Sequence, residues 1–170
     1  MIDSHCHLTD LRCFPDVDQI MSRGRAQGVT KWVLAGTDPE DWDRQLQLSA
    51  KYPESLITNF GLHPWWIEKM TRAEIDIALR TLETKLKFAH GLGETGLDFY
   101  EKRDPSKFAD QVYAFEIQVK MAVQLQKPLV LHVVKAFDEV LKVLKTDVER
   151  GSQLQVPVML VSELPFRIES

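Results

Sequence analysis

The 170-residue sequence has too little cysteine for a disulfide framework: Cys6 and Cys13 are its only two. Small secreted scaffolds depend on dense cysteine, so a reducing compartment, cytoplasm or nucleus, is the expected setting. No signal-like leader stands ahead of the first apolar segment, in line with that expectation. No apolar run comes near the ~18 residues of a membrane span, and no membrane is expected as a partner. Positive charge is not in excess either. The formal net charge is −4 at pH 7, which gives no global attraction to polyanions; a nucleic-acid ligand needs a local basic patch or a bound metal. Glycine is sparse, at eight residues. No glycine-rich phosphate loop follows the first apolar segment, which argues against a dinucleotide-binding sheet.

What is present is ordinary globular material, 44% hydrophobic and 27% charged. No linker or low-complexity tract divides it, so residues 1–170 are read as one domain. Six short apolar, β-branched-rich runs recur: residues 1–8, Lys31–Ala35, Leu56–Leu62, Ala89–Leu97, Leu129–Val133 and Val156–Val161. Helical spacing fills the intervals. Val17, Ile20 and Met21 form one stripe that Gly28 ends. Asp38-Pro39-Glu40-Asp41 is a helix start, with a capping carboxylate, proline at the first helical position and acids in the first turn. Thr71-Arg72-Ala73-Glu74 is a capping box ahead of Ile75, Ala78, Leu79, Leu82 and Leu86. A longer helix is expected over Pro105–Gln126, and another carrying Phe137, Val140, Leu141 and Leu144 inward. Strands alternating with helices predict an α/β fold on a parallel sheet. An open doubly wound sheet and a (β/α)₈ barrel compete. Polar residues clustered at the ends of several different strands favour the barrel. A full barrel takes ~250 residues, so an incomplete TIM-type barrel of about five to six of the eight βα units is expected.

Three clusters carry chemistry. In Ile2-Asp3-Ser4-His5-Cys6-His7-Leu8 the two histidines lie at i and i+2, on one face of a strand, where they can offer two imidazoles to one ion. Cys6 points the other way, and Cys6 and Cys13 are read as buried apolar residues. In His90-Gly91-Leu92-Gly93-Glu94-Thr95-Gly96-Leu97-Asp98 the glycines permit close backbone approach to Glu94, whose two oxygens can bridge two divalent ions. Asp98 is either an acceptor that fixes a histidine or a turn former, and His90, at the far end of the strand, is structural. His132 ends the apolar strand Pro128–His132. His63, in Gly61-Leu62-His63-Pro64, also closes a strand, and is read as a substrate-side residue. Trp65 and Trp66 either stack on bases or roof the core.

These motifs in this order resemble the TatD family of metal-dependent deoxyribonucleases, within the amidohydrolase-like metal hydrolases. The resemblance runs from residue 1 to about residue 145. It implies a TIM-barrel fold, a centre of one or two divalent ions (magnesium, manganese or zinc), and hydrolysis of DNA phosphodiesters, from single strands or 3′ ends. By position, His5, His7 and Glu94 would hold one ion, and Glu94 with His132 part of a second. Glu94 is the expected catalytic residue; His63 and Asp98 are the expected substrate contacts.

Three departures qualify the resemblance. The family's arginine two residues after the strand-ending histidine is replaced by Val134, with Lys135 next. The strand-like segment 155–162 carries no further histidine. The aspartate expected late in a full-length barrel has no counterpart, and residues 151–170 fit the family poorly. The expectation is a shortened or fragmentary TatD-type chain with impaired turnover; the alternative is a catalytically inactive metal-binding or interaction isoform. Oligomeric state is left open.

Overall fold

The computed structural model of the chain describes residues 1–149 and 157–161. Its strands are β1 (Ile2–Cys6), β2 (Lys31–Ala35), β3 (Leu56–Phe60), β4 (Gly91–Asp98), β5 (Leu129–Val134) and β6 (Val158–Val161). Its helices are α1 (Val17–Ala26), α2 (Pro39–Lys51), α3 (Pro64–Ile67), α4 (Arg72–Lys85), α5 (Phe108–Gln124) and α6 (Phe137–Glu149). All five strand pairings are parallel, and the order is β1-β2-β3-β4-β5-β6. A doubly wound sheet reverses its order at a switch point. Here the order never reverses, so the six strands form a curled, incomplete (β/α) barrel with the helices on its outer side.

Local chemistry sets the helix starts. Asp38 Oδ1 accepts from the backbone N–H of Glu40 and Asp41 at 3.0 and 3.1 Å, with Pro39 at the first helical position. At α4 the reciprocal bonds between Thr71 and Glu74 form the expected capping box. Two apolar clusters fill the space between helices and sheet. Val17 and Met21 of α1 pack with Trp32, Leu34, Leu48 and Leu56. The larger cluster joins Trp42, Phe60, Leu79, Leu82, Leu97, Phe115, Val119 and Leu131.

The structure corrects three details. The expected helix over Pro105–Gln126 is a 3₁₀ turn at Pro105–Lys107, capped by Asp104, followed by α5. On α6 the buried pair is Val140 and Val143, whereas Phe137 is 55% exposed. Helical side chains lean toward the N-terminus, so Phe137, as the first residue, projects past the packed layer. Cys6 and Cys13 are half-buried rather than buried. Of the expected divergent tail, 151–156 and 162–170 lie outside the described residues. No described helix is long and apolar enough to cross a membrane.

Candidate metal centre

The C-terminal ends of β1, β3, β4 and β5 meet over one carboxylate. Glu94 lies in the middle of β4 and is 2% exposed. Its backbone N–H donates to Gly36 O at 2.7 Å, and Gly36 N–H donates to Gly93 O at 3.1 Å, which ties this part of β4 to the end of β2. Four imidazoles surround the carboxylate. His5 Nε2 and His7 Nε2 each lie 3.4 Å from Oε2. His132 Nδ1 lies 3.1 Å and His63 Nε2 3.7 Å from Oε1. His5, on β1, and His7, the first residue after it, lie together as the i, i+2 spacing predicts, their rings edge-on at 5.0 Å.

Second contacts of each ring decide which nitrogen can serve an ion. His132 Nε2 faces Asp98 Oδ2 at 3.3 Å. Asp98 accepts from Nε2–H, which leaves Nδ1 as the nitrogen that donates to Glu94 here and that would coordinate an ion in its place. His7 Nε2 faces the same carboxylate, and the hydrogen bond to Glu94 raises its imidazole above the ordinary value. His5 Nδ1 is buried with no hydrogen-bond partner among the described residues, so its ring is oriented by the Nε2 side. His63 is different. As the N-cap of α3 its Nδ1 accepts from the Trp65 backbone N–H at 3.1 Å, which puts the proton of a neutral ring on Nε2. By distance, both His5–His7–Glu94 and His63–Glu94–His132 could hold a cation. With an ion bound, His5, His7, Glu94 and His132 would turn lone pairs to it, whereas without one their ring nitrogens donate to Glu94; His63, whose Nδ1 already accepts from Trp65, offers only an N–H.

Electrostatics support this division. Burial alone raises a carboxyl, but hydrogen bonds from His132, His5, His63 and His7 hold Glu94 far below the usual carboxylate range. Burial lowers His63, in keeping with a neutral ring. Burial also disfavours charge on His132, yet Asp98 and Glu94 outweigh it and raise the imidazole from 6.5 to about 9. A histidine raised by folding stabilises the fold below its unfolded value and loses that contribution as pH climbs through the folded one. In the metal-free protein, the melting midpoint is thus expected to fall between pH 6.5 and about 9; thermal melts in chelator across that range check it. The Cys6 thiol is pushed up to about 12, chiefly by burial, which keeps it from acting as a thiolate ligand.

The centre floors a cavity of about 610 Å³. Arg12, Arg44, Trp66 and Lys69 line its walls together with the histidines. Arg44 Nε donates to Thr9 O at 2.7 Å, and Lys69 Nζ lies 4.6 Å from the Trp66 ring. Asp10, Asp38, Glu40 and Asp41 line the same walls, with Arg12 paired to Asp10 at 2.8 Å and Arg44 3.7 Å from Asp41, so the rim of the cavity carries both signs of charge. The deciding comparison is the sequence profile of TatD related DNases, which matches residues 2–159. The chain belongs to the TatD related DNase family. It is similar to a protein named 3′-5′ ssDNA/RNA exonuclease TatD from Erwinia amylovora, 32% identical over 146 residues, covering 85% of this chain and 54% of that protein. An uncharacterized metal-dependent hydrolase, YjjV of Escherichia coli K12, is 29% identical over 144 residues, with coverage of 85% and 54%. The crystal structure of YjjV superposes with a TM-score of 0.76 over 86% of this chain and 55% of that one. This member of the TatD family spans about half the length of the curated relatives it matches.

The structure brings together every expected site residue, with different surroundings for two. His63 reaches Glu94 as closely as a ligand would, and Asp98 stands behind His132 instead of on the cavity wall. Lys135, next to the position of the absent arginine, pairs with Glu101 and does not line the cavity. His90 accepts from Thr58 N–H at 3.1 Å, well away from the centre, as a structural residue should. Arg12, Arg44, Lys69 and Arg103 were missed because no spacing rule marks them; Arg44 and Arg103 are placed by contacts with Thr9 and Glu68 in distant segments, and Arg12 and Lys69 are held by neighbours that carry no site signal.

Proposed function

We propose that this chain is a divalent-metal-dependent hydrolase of DNA phosphodiester bonds, acting on single-stranded DNA or 3′ ends with one or two magnesium, manganese or zinc ions. The observation that carries the reading is the buried Glu94 carboxylate with four imidazoles within 3.1–3.7 Å, on the floor of a cavity. The donor set of three imidazoles and a carboxylate suits such ions. A bound ion supplies Lewis acidity toward a phosphoryl oxygen and makes water a better nucleophile near neutral pH.

The remaining roles belong to side chains. His5, His7, Glu94 and His132 would hold the ions, Glu94 turning one oxygen toward His5 and His7 and the other toward His132 and His63. His63 presents its Nε2–H to the phosphoryl group of the substrate. Arg12, Arg44 and Lys69 stand on the cavity wall as phosphate contacts, and the bound ions supply the net positive charge that the acid-lined wall and the −4 chain lack. Trp66, 37% exposed on the cavity wall, offers a face for a base to stack on. The relatives named as ssDNA/RNA exonucleases support nucleic acid as the substrate class. Free cysteines fit the cytoplasm or nucleus as the working compartment.

The test is cleavage of a 3′-labelled single-stranded oligonucleotide with magnesium, manganese or zinc, before and after chelation, beside His5→Ala. Chelation is expected to stop cleavage, and added ion to restore it. His5→Ala should lower the rate by about 10²-fold or more, the scale of losing a principal electrostatic group. Cleavage that survives chelation refutes metal dependence. Tight metal binding without hydrolysis of any nucleic acid refutes the enzyme reading in favour of the inactive metal-binding alternative.

A further inference from the structure

The side chain of Asp98 is engaged from several directions. Its Oδ2 accepts from Trp65 Nε1 at 2.5 Å, Arg103 Nε at 3.2 Å and His132 Nε2 at 3.3 Å, and its Oδ1 accepts from Tyr100 N–H at 3.1 Å. Arg103 is itself fixed. Its guanidinium lies 4.5 Å from the Trp65 ring, and its Nη1 reaches Glu68 Oε2 at 3.4 Å. Glu68 Oε1 accepts from the Asp104 backbone N–H at 2.9 Å, which anchors the loop after β4 to the end of α3. Trp65 also packs edge-on against His63 and His132, with centroids at 5.1 and 5.9 Å. The four side chains Trp65, Glu68, Asp98 and Arg103 come from two segments more than thirty residues apart.

A single acceptor atom with three side-chain donors has little freedom to rotate. A carboxylate free to swing accepts from either nitrogen of an imidazole as the ring turns; one held by an indole N–H and a guanidinium meets only the nitrogen facing it. We propose that Trp65 and Arg103 are positioning residues that lock Asp98 onto His132 Nε2, so that His132 presents Nδ1 as a metal ligand. The inference rests on the metal-centre reading above and deepens it. It assigns the lock to side chains that do not themselves reach Glu94, and it explains the ties among Arg103, Glu68 and Trp65 that the ligand set alone leaves without a purpose.

The test measures zinc affinity of the whole chain by competition with a chromogenic chelator. It also records long-range ¹H–¹⁵N spectra of the histidine rings in the zinc-loaded protein. Trp65→Phe keeps the ring and removes only the N–H. Arg103→Met removes the guanidinium, and Arg103→Lys restores a cation. Trp65→Phe and Arg103→Met are each expected to weaken zinc binding by about tenfold, the lower end of what loss of a ligand's supporting hydrogen bond costs. Arg103→Lys should recover part of that loss. The His132 signals should lose the pattern of a protonated Nε2 with a coordinated Nδ1. Tyr113→Phe, which deletes a remote hydrogen bond to Asp76, should bind zinc as the wild type does. Folded Trp65→Phe with wild-type affinity and an unchanged His132 pattern overturns the lock, as does equal weakening by Tyr113→Phe. A wild-type chain that binds no zinc overturns the metal centre as well, an outcome distinct from variants that bind like the wild type.

Discussion

Replacing Glu94 with glutamine is expected to reduce hydrolysis by about 10³-fold or more while leaving the chain folded, the largest loss of any single substitution at the centre. Glutamine keeps the size of the side chain and so preserves its packing at the floor of the cavity. It removes the negative charge that two histidine pairs face at 3.1–3.7 Å, and it exchanges one ligand oxygen for a donor NH₂. An NH₂ group cannot coordinate an ion, and it sets donor against donor where imidazole N–H groups face the Glu94 carboxylate. Loss of one ligand histidine leaves two ligating imidazoles and the carboxylate; loss of the carboxylate separates His5 and His7 from His132. The check combines cleavage rates on labelled single-stranded DNA, metal content by elemental analysis, and thermal melts. Rates within tenfold of the wild type, from a protein of wild-type metal content, would sink the metal mechanism.

Features of the fold that depend on neighbouring residues were legible before any coordinates. The Asp38 cap needs only a carboxylate two and three residues ahead of free N–H groups, and the Thr71–Glu74 box is equally local. The strand segments were legible for the same reason, since period-two patterning and β-branched runs are short-range signals. Strand ends were not. β3 stops at Phe60, although the apolar run continues to Leu62, because Leu62 N–H turns to Gln118 Oε1 at 2.8 Å on α5. The choice between an open sheet and a barrel also lies beyond alternation of elements. It depends on strand order, a long-range property that only the polar residues at strand ends hinted at. At the site, His5 and His7 could be paired because the strand period brings them together. Glu94 and His132 were expected at strand ends, but β4 runs on to Asp98 and β5 to Val134, so both lie inside their strands, and the distances among Glu94, His132 and His63 come from the lateral order of β1, β3, β4 and β5. The Trp65–Asp98–Arg103 cluster had no signal at all: Trp65 and Asp98 lie 33 residues apart, in elements whose packing no local rule predicts.

The second large effect is on stability, and it comes from Gly96. In the β4–β5 ladder Gly96 is the partner of His132, and its φ of +136° is a region that side-chain-bearing residues rarely adopt. A Cβ built there would lie 2.1 Å from the His132 carbonyl oxygen and 3.2 Å from its backbone nitrogen. These are backbone atoms within a ladder, so no rotamer change relieves the clash; β4 and β5 must separate or the chain must change φ. Backbone strain of this kind costs about 1–3 kcal/mol, and forcing extra volume into a packed interior about 1–3 kcal/mol. Gly96→Ala is accordingly expected to destabilise the protein by about 2–6 kcal/mol, a large share of the 5–15 kcal/mol typical of a folded domain. Because the displaced segment carries His132, zinc affinity should fall with it. Gly28→Ala provides the contrast. Gly28 also has positive φ, +85°, but nothing lies within 4 Å of its would-be Cβ, so only the conformational cost of about 1 kcal/mol applies. Urea denaturation of the two variants should rank Gly96→Ala far below Gly28→Ala, with zinc binding weakened only in the former. A Gly96→Ala protein that unfolds with the wild type would show that β4 and β5 do not need to approach this closely for His132 to reach Glu94.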